Sequence, residues 1–368
     1  IGLISTIHFF WAMVAWISQN DVKVREKGVR GPKIVVIGGG TGLGTILRGL
    51  KEITPNLTAI VTVADDGGSS GRLRREFGIL PPGDIRNCLV AMANLEPLME
   101  RLMQYRFQGE TNLAGHSFGN LFLTVMTEIT GDFEAAIRES SKVLAVRGQV
   151  LPATLEDVVL KAELIDGTII TGESKISKSK QPIKRVFFDP NHIQTLPEAV
   201  NAINEADVVI LGPGSLYTSI IPNLLVKDIT AAIKRSKAVK IYICNAMTQP
   251  GETDHYSASD HIQAIINHAG TGLIDVAITN TEEVPPEILK RYIEEGAEAV
   301  LADLDKIGEL GITPLGRKII VKSKVIRHDA TKLAHLIAGL SRTHQFGSSF
   351  GGFLNKKIYR FFKPDFTK

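Results

Sequence analysis

Two adjacent carboxylates, Asp65 and Asp66, open the stretch "ADDGGSSGRLRREFG", where Gly67, Gly68, Ser69, Ser70 and Gly71 lead into Arg72, Arg74 and Arg75. Acids, small hydroxyls and guanidinium groups so close together suit a sugar, a phosphate and Mg²⁺ held by Asp65 and Asp66. Asp65 alone could instead grip a nicotinamide cofactor's ribose, and the stretch could also be a flexible acidic loop. Upstream, "IGGGTGLGTIL" follows the apolar run "KIVV". Its glycines miss the dinucleotide spacing. If Gly38 and Gly40 are the first two, the third falls on Leu43; if Gly40 and Gly42, on Thr45. No Lys-Ser/Thr pair follows, so it is not a P-loop either. The remaining reading is a strand-to-helix turn where Gly39, Gly40, Thr41 and Gly42 let backbone N–H groups approach a phosphate or sugar. A tight turn needing positive φ is the plainer alternative.

Further polar stretches follow. In "LPPGDIRNCL", Asp84 can cap a helix beginning near Ile85, while Arg86 and Asn87 can face a ligand. In "GHSFGN", Ser117 is a plausible N-cap and His116 can bond a phosphate or act as acid or base, with Asn120 close behind. Gly115 to Gly119 matches a G-x-S-x-G nucleophile elbow, but that motif needs a strand directly before it. The preceding "FQGETNLA" is polar loop, which argues against a hydrolase. "VVILGPGSLYTSIIPNLLV" repeats the anion-binding logic with Gly212, Gly214 and Ser215. "CNAMTQPGETD" sets Asn245, Thr248 and Gln249 where a base or sugar edge can be read, and Arg327 and His328 stand where a last strand gives way to a helix. There a cation can pair with a pyrophosphate. No triad or ordered metal cluster stands out. The sequence therefore points to a nucleotide-sized ligand before it points to catalysis.

These stretches need a scaffold that gathers them. "KIVVIG" is a continuous apolar run suited to a parallel strand covered on both faces. Leu43, Ile46, Leu47, Leu50 and Ile53 then recur at helical spacing, and "LTAIVTVA" forms the next strand. Residues 84–146 read as helical, 149–188 as short alternating strands with an Asp166-Gly167 turn, and strand–helix alternation then resumes. "KIIVKSKVI" reads as the last strand. The expected fold is a doubly wound, Rossmann-like α/β domain over 33–341 with a small β-rich insertion at about 149–188. Its mostly parallel sheet would place the polar turns at its carboxyl edge, where such sheets bind ligands.

Composition narrows the classes. Apolar residues make up 44%, charged residues 22%, and the formal charge is +3, so nothing points to nucleic acid. Cys88 and Cys244 lack metal-ligand spacing, which suits a reducing compartment. At the amino end, residues 1–32 combine the uncharged "IGLISTIHFFWAMVAWI" with a linker carrying Lys23, Arg25, Lys27, Arg30 and Lys33 just beyond it. A bilayer crossing takes about 20 apolar residues, so residues 1–17 read as a truncated membrane tether with the basic side in the cytoplasm. A buried helix or signal-peptide core is the alternative. Residues 342–368 read as a flexible basic and aromatic tail.

Taken in order, "VVIGGGTGL", "VTVADDGGSSGRLR", "LPPGDIRNCL", "GHSFGNLFL", "LGPGSLYTSIIPNLLV" and "CNAMTQPGETD" resemble the YvcK-like gluconeogenesis factor family, within the CofD-like (2-phospho-L-lactate transferase) superfamily. The match runs from about Lys33 to Leu340. The resemblance implies a Rossmann-like fold, binding of UDP-sugars such as UDP-N-acetylglucosamine, and control of peptidoglycan-precursor supply and cell shape on gluconeogenic carbon sources. It implies that Tyr292 in "LKRYIEEG" and Arg327 in "VIRHD" help hold the nucleotide sugar. The family's "RHDT" stands here as "RHDAT", so Ala330 replaces a threonine and Thr331 follows it. The transferase relatives move a phospholactyl group from a guanylylated donor to a deazaflavin with Mg²⁺, and Asp65, Asp66, Asp84 and His116 are the residues for such chemistry here. The expectation is a cytoplasmic regulatory binder of a UDP-sugar with Mg²⁺ as its one candidate cofactor, a protein partner and a homo-oligomeric state. A transferase is the alternative, and an NAD-dependent oxidoreductase a remote one.

Overall fold

The computed structural model describes residues 31–179, 181–321 and 325–349, and the elements below lie in the unit Pro32–Lys368. The expectations for residues 1–17, the basic linker to Arg30 and the tail beyond Ser349 lie outside the described residues. Among the described residues, no helix is long and apolar enough to cross a membrane.

Strand β1 (Ile34–Gly38) is buried along its whole length, as a strand covered on both faces must be. It is followed by β2 (Leu57–Val61) and β3 (Gln149–Pro152). Next, β4 (Val159–Leu164), β5 (Ile169–Thr171) and β6 (Ile183–Asp189) form a separate antiparallel sheet in the order β5-β4-β6. Strands β7 (Val208–Leu211), β8 (Val239–Ile243), β9 (Val276–Asn280) and β10 (Thr313–Arg317) complete the main sheet. A hairpin of β11 (Ile320–Val321) and β12 (Arg327–His328) comes last. The seven-stranded sheet has the order β10-β9-β8-β7-β1-β2-β3, and every pair in it is parallel.

The chain thus winds outward from β1 to β3, then returns to the other flank of β1 and winds outward again from β7. The order reverses between β1 and β7. Connections there leave in opposite directions, which opens a crevice beyond the strand ends. The helix Gly40–Leu50 covers β1 with Leu43, Ile46, Leu47 and Leu50, all fully buried; each contributes about 1.5–3 kcal/mol relative to exposure. The last helix, Ala330–Ser349, packs against it. A Cβ on Gly49 would lie 2.3 Å from the Ala330 carbonyl oxygen, so this contact requires glycine. Asp329 caps that last helix by accepting the Thr331 and Lys332 amides at 3.1 and 3.0 Å.

Three boundaries differ from the sequence expectation. Gln149–Pro152 belongs to the main sheet as edge strand β3, so the insertion proper is β4–β6. The last parallel strand is β10, hidden in the sequence by Pro314 and Gly316, whereas "KIIVKSKVI" supplies β11 and part of the hairpin. The final helix runs through Ser349, past the boundary drawn at 341.

Candidate functional site

Beyond β1 and β7 the two glycine turns nest against each other. A Cβ on Gly42 would lie 2.9 Å from the Pro213 carbonyl oxygen, and one on Gly214 would lie 3.1 Å from the Gly39 carbonyl oxygen. Side chains there would wedge the turns apart. Gly212 needs its φ of +77°. Asn245, from the end of β8, clamps the second turn reciprocally: its Nδ2 donates to the Gly214 carbonyl at 2.8 Å and its Oδ1 accepts the Gly214 amide at 3.3 Å. Gln249 Nε2 donates to Ser215 Oγ at 2.7 Å, leaving its buried Oε1 without a partner. Asn245 and Gln249 therefore position the turn. Thr41 stands exposed at the crevice mouth, with Gly40, Gly42, Gly214 and Ser215 half-buried.

Carboxylates dominate the β2 side. Asp84 lies in the first turn of the helix Gly83–Met92 and, contrary to the sequence expectation, does not cap it. The Gly40 amide and the Asn87 side chain face it and favour its charged form. Its Oδ2 sits where a Cβ on Gly39 would be only 2.5 Å away. Protein encloses Asp84 except toward the crevice, and this burial, reinforced by Asp65, raises its pKa to about 6. Asp65 Oδ1 accepts the Gly67 amide at 2.8 Å, and Asp66 Oδ1 accepts the Ser174 amide from the insertion at 2.8 Å. Glu173 looks onto the same carboxylates; burial first, then Asp65, Asp84, Glu252 and Asp66, push it well above the usual carboxyl range. Glu252, 3% exposed, accepts from Thr218 Oγ1 at 3.0 Å and the Tyr217 amide at 3.3 Å. Burial raises its pKa to about 7.

Mg²⁺ on Asp65 and Asp66 would use the carboxylate oxygen that each has left, with phosphate and water oxygens completing its shell. Each carboxylate has an oxygen committed to the amide of a different turn. Among the described residues, no group of three or more His, Cys, Asp or Glu side chains converges to hold a metal ion.

A buried polar layer joins the second and fourth stretches. Asn120 Nδ2 donates to Ser69 Oγ at 3.1 Å, and Ser69 Oγ also pairs with His116 Nδ1 at 3.0 Å. Burial, then Arg72, lowers the His116 pKa. Ser117 caps the helix Phe118–Thr130, accepting the Asn120 amide at 3.2 Å, and also accepts from Arg86. Arg86 donates to Asn87 Oδ1 at 2.7 Å as well. Gly119 makes room for it, since a Cβ there would be 2.6 Å from Arg86 Cδ. Arg72 donates to the Ala114 carbonyl at 2.7 Å, so it holds the loop that carries His116. The residues before Ser117 form turns and one isolated bridge, without the strand that a nucleophile elbow needs.

On the far side, the structure gives Thr248 to the scaffold. It is 3% exposed, its hydroxyl accepts the Glu298 amide at 2.9 Å, and its own amide bonds the Glu298 carbonyl at 2.8 Å. Tyr292 packs on Ala246, Met247 and Ile326, and its hydroxyl accepts the Ile326 amide at 2.9 Å. It thus fixes the strand that carries Arg327. Arg327 is exposed. His328 Nε2 bonds the Cys244 carbonyl at 3.1 Å, and burial lowers its pKa to about 4.

Glu173 and Thr62 are site residues that sequence reasoning missed. Thr62 stands just past β2, its Cγ2 2.9 Å from where a Gly39 Cβ would be. The Gly172-Glu173 turn interrupting the alternating strands was the one signal for Glu173. A shallow depression of about 380 Å³ lies at the opposite edge, near Lys33, Asn56 and Gln149. It is remote from the nested turns, and its open floor under the strand starts offers no comparable set of enclosed polar groups.

Comparison with known proteins agrees with this geometry. A model of the family "2-phospho-L-lactate transferase CofD" matches residues 34–320. The chain is 54% identical over 310 residues to a gluconeogenesis factor of Bacillus subtilis, covering 84% of this chain and 98% of the relative. It is 52% identical to a gluconeogenesis factor of Halalkalibacterium halodurans, covering 84% and 97%. A crystal structure of a upf0052 family member from Bacillus halodurans superposes with a TM-score of 0.82 at 52% identity, covering 84% of this chain and 99% of that one. The nested turns and the two-way winding of the sheet are therefore those of a CofD-family protein, and the chain belongs to the gluconeogenesis factor family within it.

Proposed function

We propose that this protein binds a UDP-sugar, UDP-N-acetylglucosamine foremost, as a regulatory ligand linking gluconeogenic growth to cell-envelope precursor supply and cell shape. The crevice at the β1/β7 reversal carries the reading. It offers helix-start amides to a diphosphate on one side and hydrogen-bonding carboxyls to a sugar on the other. In this reading Arg327, exposed in β12, supplies a cation to a phosphate. The proposal puts the protein in the cytoplasm, in keeping with two buried free cysteines, and leaves a regulatory protein partner and self-association as parts of its action.

A second reading, phospholactyl transfer from a guanylylated donor to a deazaflavin, draws on the CofD family match. Titration calorimetry with UDP-N-acetylglucosamine, guanosine nucleotides and NAD separates the two. Heat from the UDP-sugar alone is expected, and Arg327→Ala should weaken that binding by about 1–3 kcal/mol. Heat from a guanosine nucleotide with none from the UDP-sugar would favour the transferase. An unchanged affinity in Arg327→Ala would remove that residue from the site.

A further inference from the structure

The β2 side poses a problem for a crevice that takes a diphosphate. Asp65, Asp66, Asp84 and Glu252 all bear on Glu173, and a phosphate placed among them would meet like charge. Hydroxyl groups meet no such barrier, because carboxyl oxygens accept from them. Glu173 is held in place by the loop that follows β2. Asp66 accepts the Ser174 amide at 2.8 Å, and Gly172, with φ of +102°, sits where a Cβ would be 2.1 Å from Asp66 Oδ2. The insertion is also fastened to the main domain elsewhere. The Val186 amide donates to His268 Nε2 at 2.9 Å, and Ser179 lies so close to Gly251 that a Cβ there would be 2.4 Å from the Ser179 carbonyl oxygen.

Two orphaned polar atoms stand at this end. Glu173 Oε2 is shut off from solvent with no hydrogen-bond partner. The Thr62 hydroxyl, on a residue 3% exposed beside Gly39 and Asp84, is also unpartnered. Leaving such groups unmade is costly, whereas a ligand hydroxyl can donate or accept as each requires.

We propose that the β insertion closes the acidic end of the crevice and that Glu173 binds hydroxyls of the ligand's glycosyl group, directing the diphosphate to the glycine turns. This rests on the nucleotide-sugar reading and adds an orientation to it. The unpartnered Oε2 of Glu173 belongs to a group that can meet a hydroxyl as acceptor and, when protonated, as donor.

The test compares UDP-N-acetylglucosamine with UDP by calorimetry on wild type, Glu173→Ala and Glu173→Gln. Glu173→Ala should weaken the sugar nucleotide about tenfold or more and leave UDP within about twofold, which also reports an intact fold. Glu173→Gln, keeping a donor and an acceptor, should restore most of the loss. Equal losses for both ligands, or no loss for either, would overturn the assignment while leaving the nucleotide-sugar reading standing. Wild type that takes up neither ligand would overturn both.

Discussion

The two sides of the crevice are built on opposite principles. At the β1 and β7 turns, side chains are withheld at the points of contact: Gly42 and Gly214 let backbone approach backbone, and Asn245 holds the result together. At the β2 side, side chains are crowded: Asp84 lies against the Gly39 backbone, and Asp65, Asp66 and Glu173 gather behind it. The first side can offer amide donors and the second acceptors. Their meeting point is Gly40, whose amide faces Asp84 and favours its charged form. A glycine-rich turn is therefore not by itself a vacant anion site, and what its neighbours take from it decides which amides remain.

The sharpest way to break this comparison is at Gly71, where a Cβ would fall 1.8 Å from the Asp66 carbonyl oxygen. Gly71→Ala should cost about 3 kcal/mol, because backbone must move to admit it. Urea melts would show this, and a loss below about 1 kcal/mol would mean that the acidic loop yields easily. A smaller effect is expected at Asp84. Its folded-state pKa of about 6 exceeds the ordinary value of 3.8, so wild type is favoured while the proton stays on. That advantage drains away as pH rises from about 4 through about 6. Asp84→Asn keeps an acceptor for the Gly40 amide and should match wild type near pH 4. It should become more stable than wild type by about 2 kcal/mol above pH 7. A difference that stays flat with pH would show that Asp84 is fully solvated in the folded chain.

The glycine side was legible because its signals are local. A buried strand such as "IVVIG" ends in small residues, and a helix with apolar spacing begins. The acidic side was only half legible. Asp65 and Asp66 stand out, but their partners are distant in sequence: Asp66 bonds Ser174 and Asp84 faces the Gly40 amide. No periodicity encodes such pairings. Edge strands hid for another reason. "QVLP" and "TPLGR" carry proline or glycine, which an edge position tolerates and a propensity reading discounts. Thr248 misled because a polar residue at a strand's end looks available until its hydroxyl is found on the Glu298 amide.

The central claim is that one ligand lies between the two sides, touching both. Hydrogen–deuterium exchange with and without saturating UDP-N-acetylglucosamine addresses it directly. The account predicts slowed exchange in three separate segments, 39–43, 212–216 and 172–176, with the region near Lys33, Asn56 and Gln149 unchanged. Protection confined to that opposite edge, or absent from 172–176 while present at both glycine turns, would contradict it.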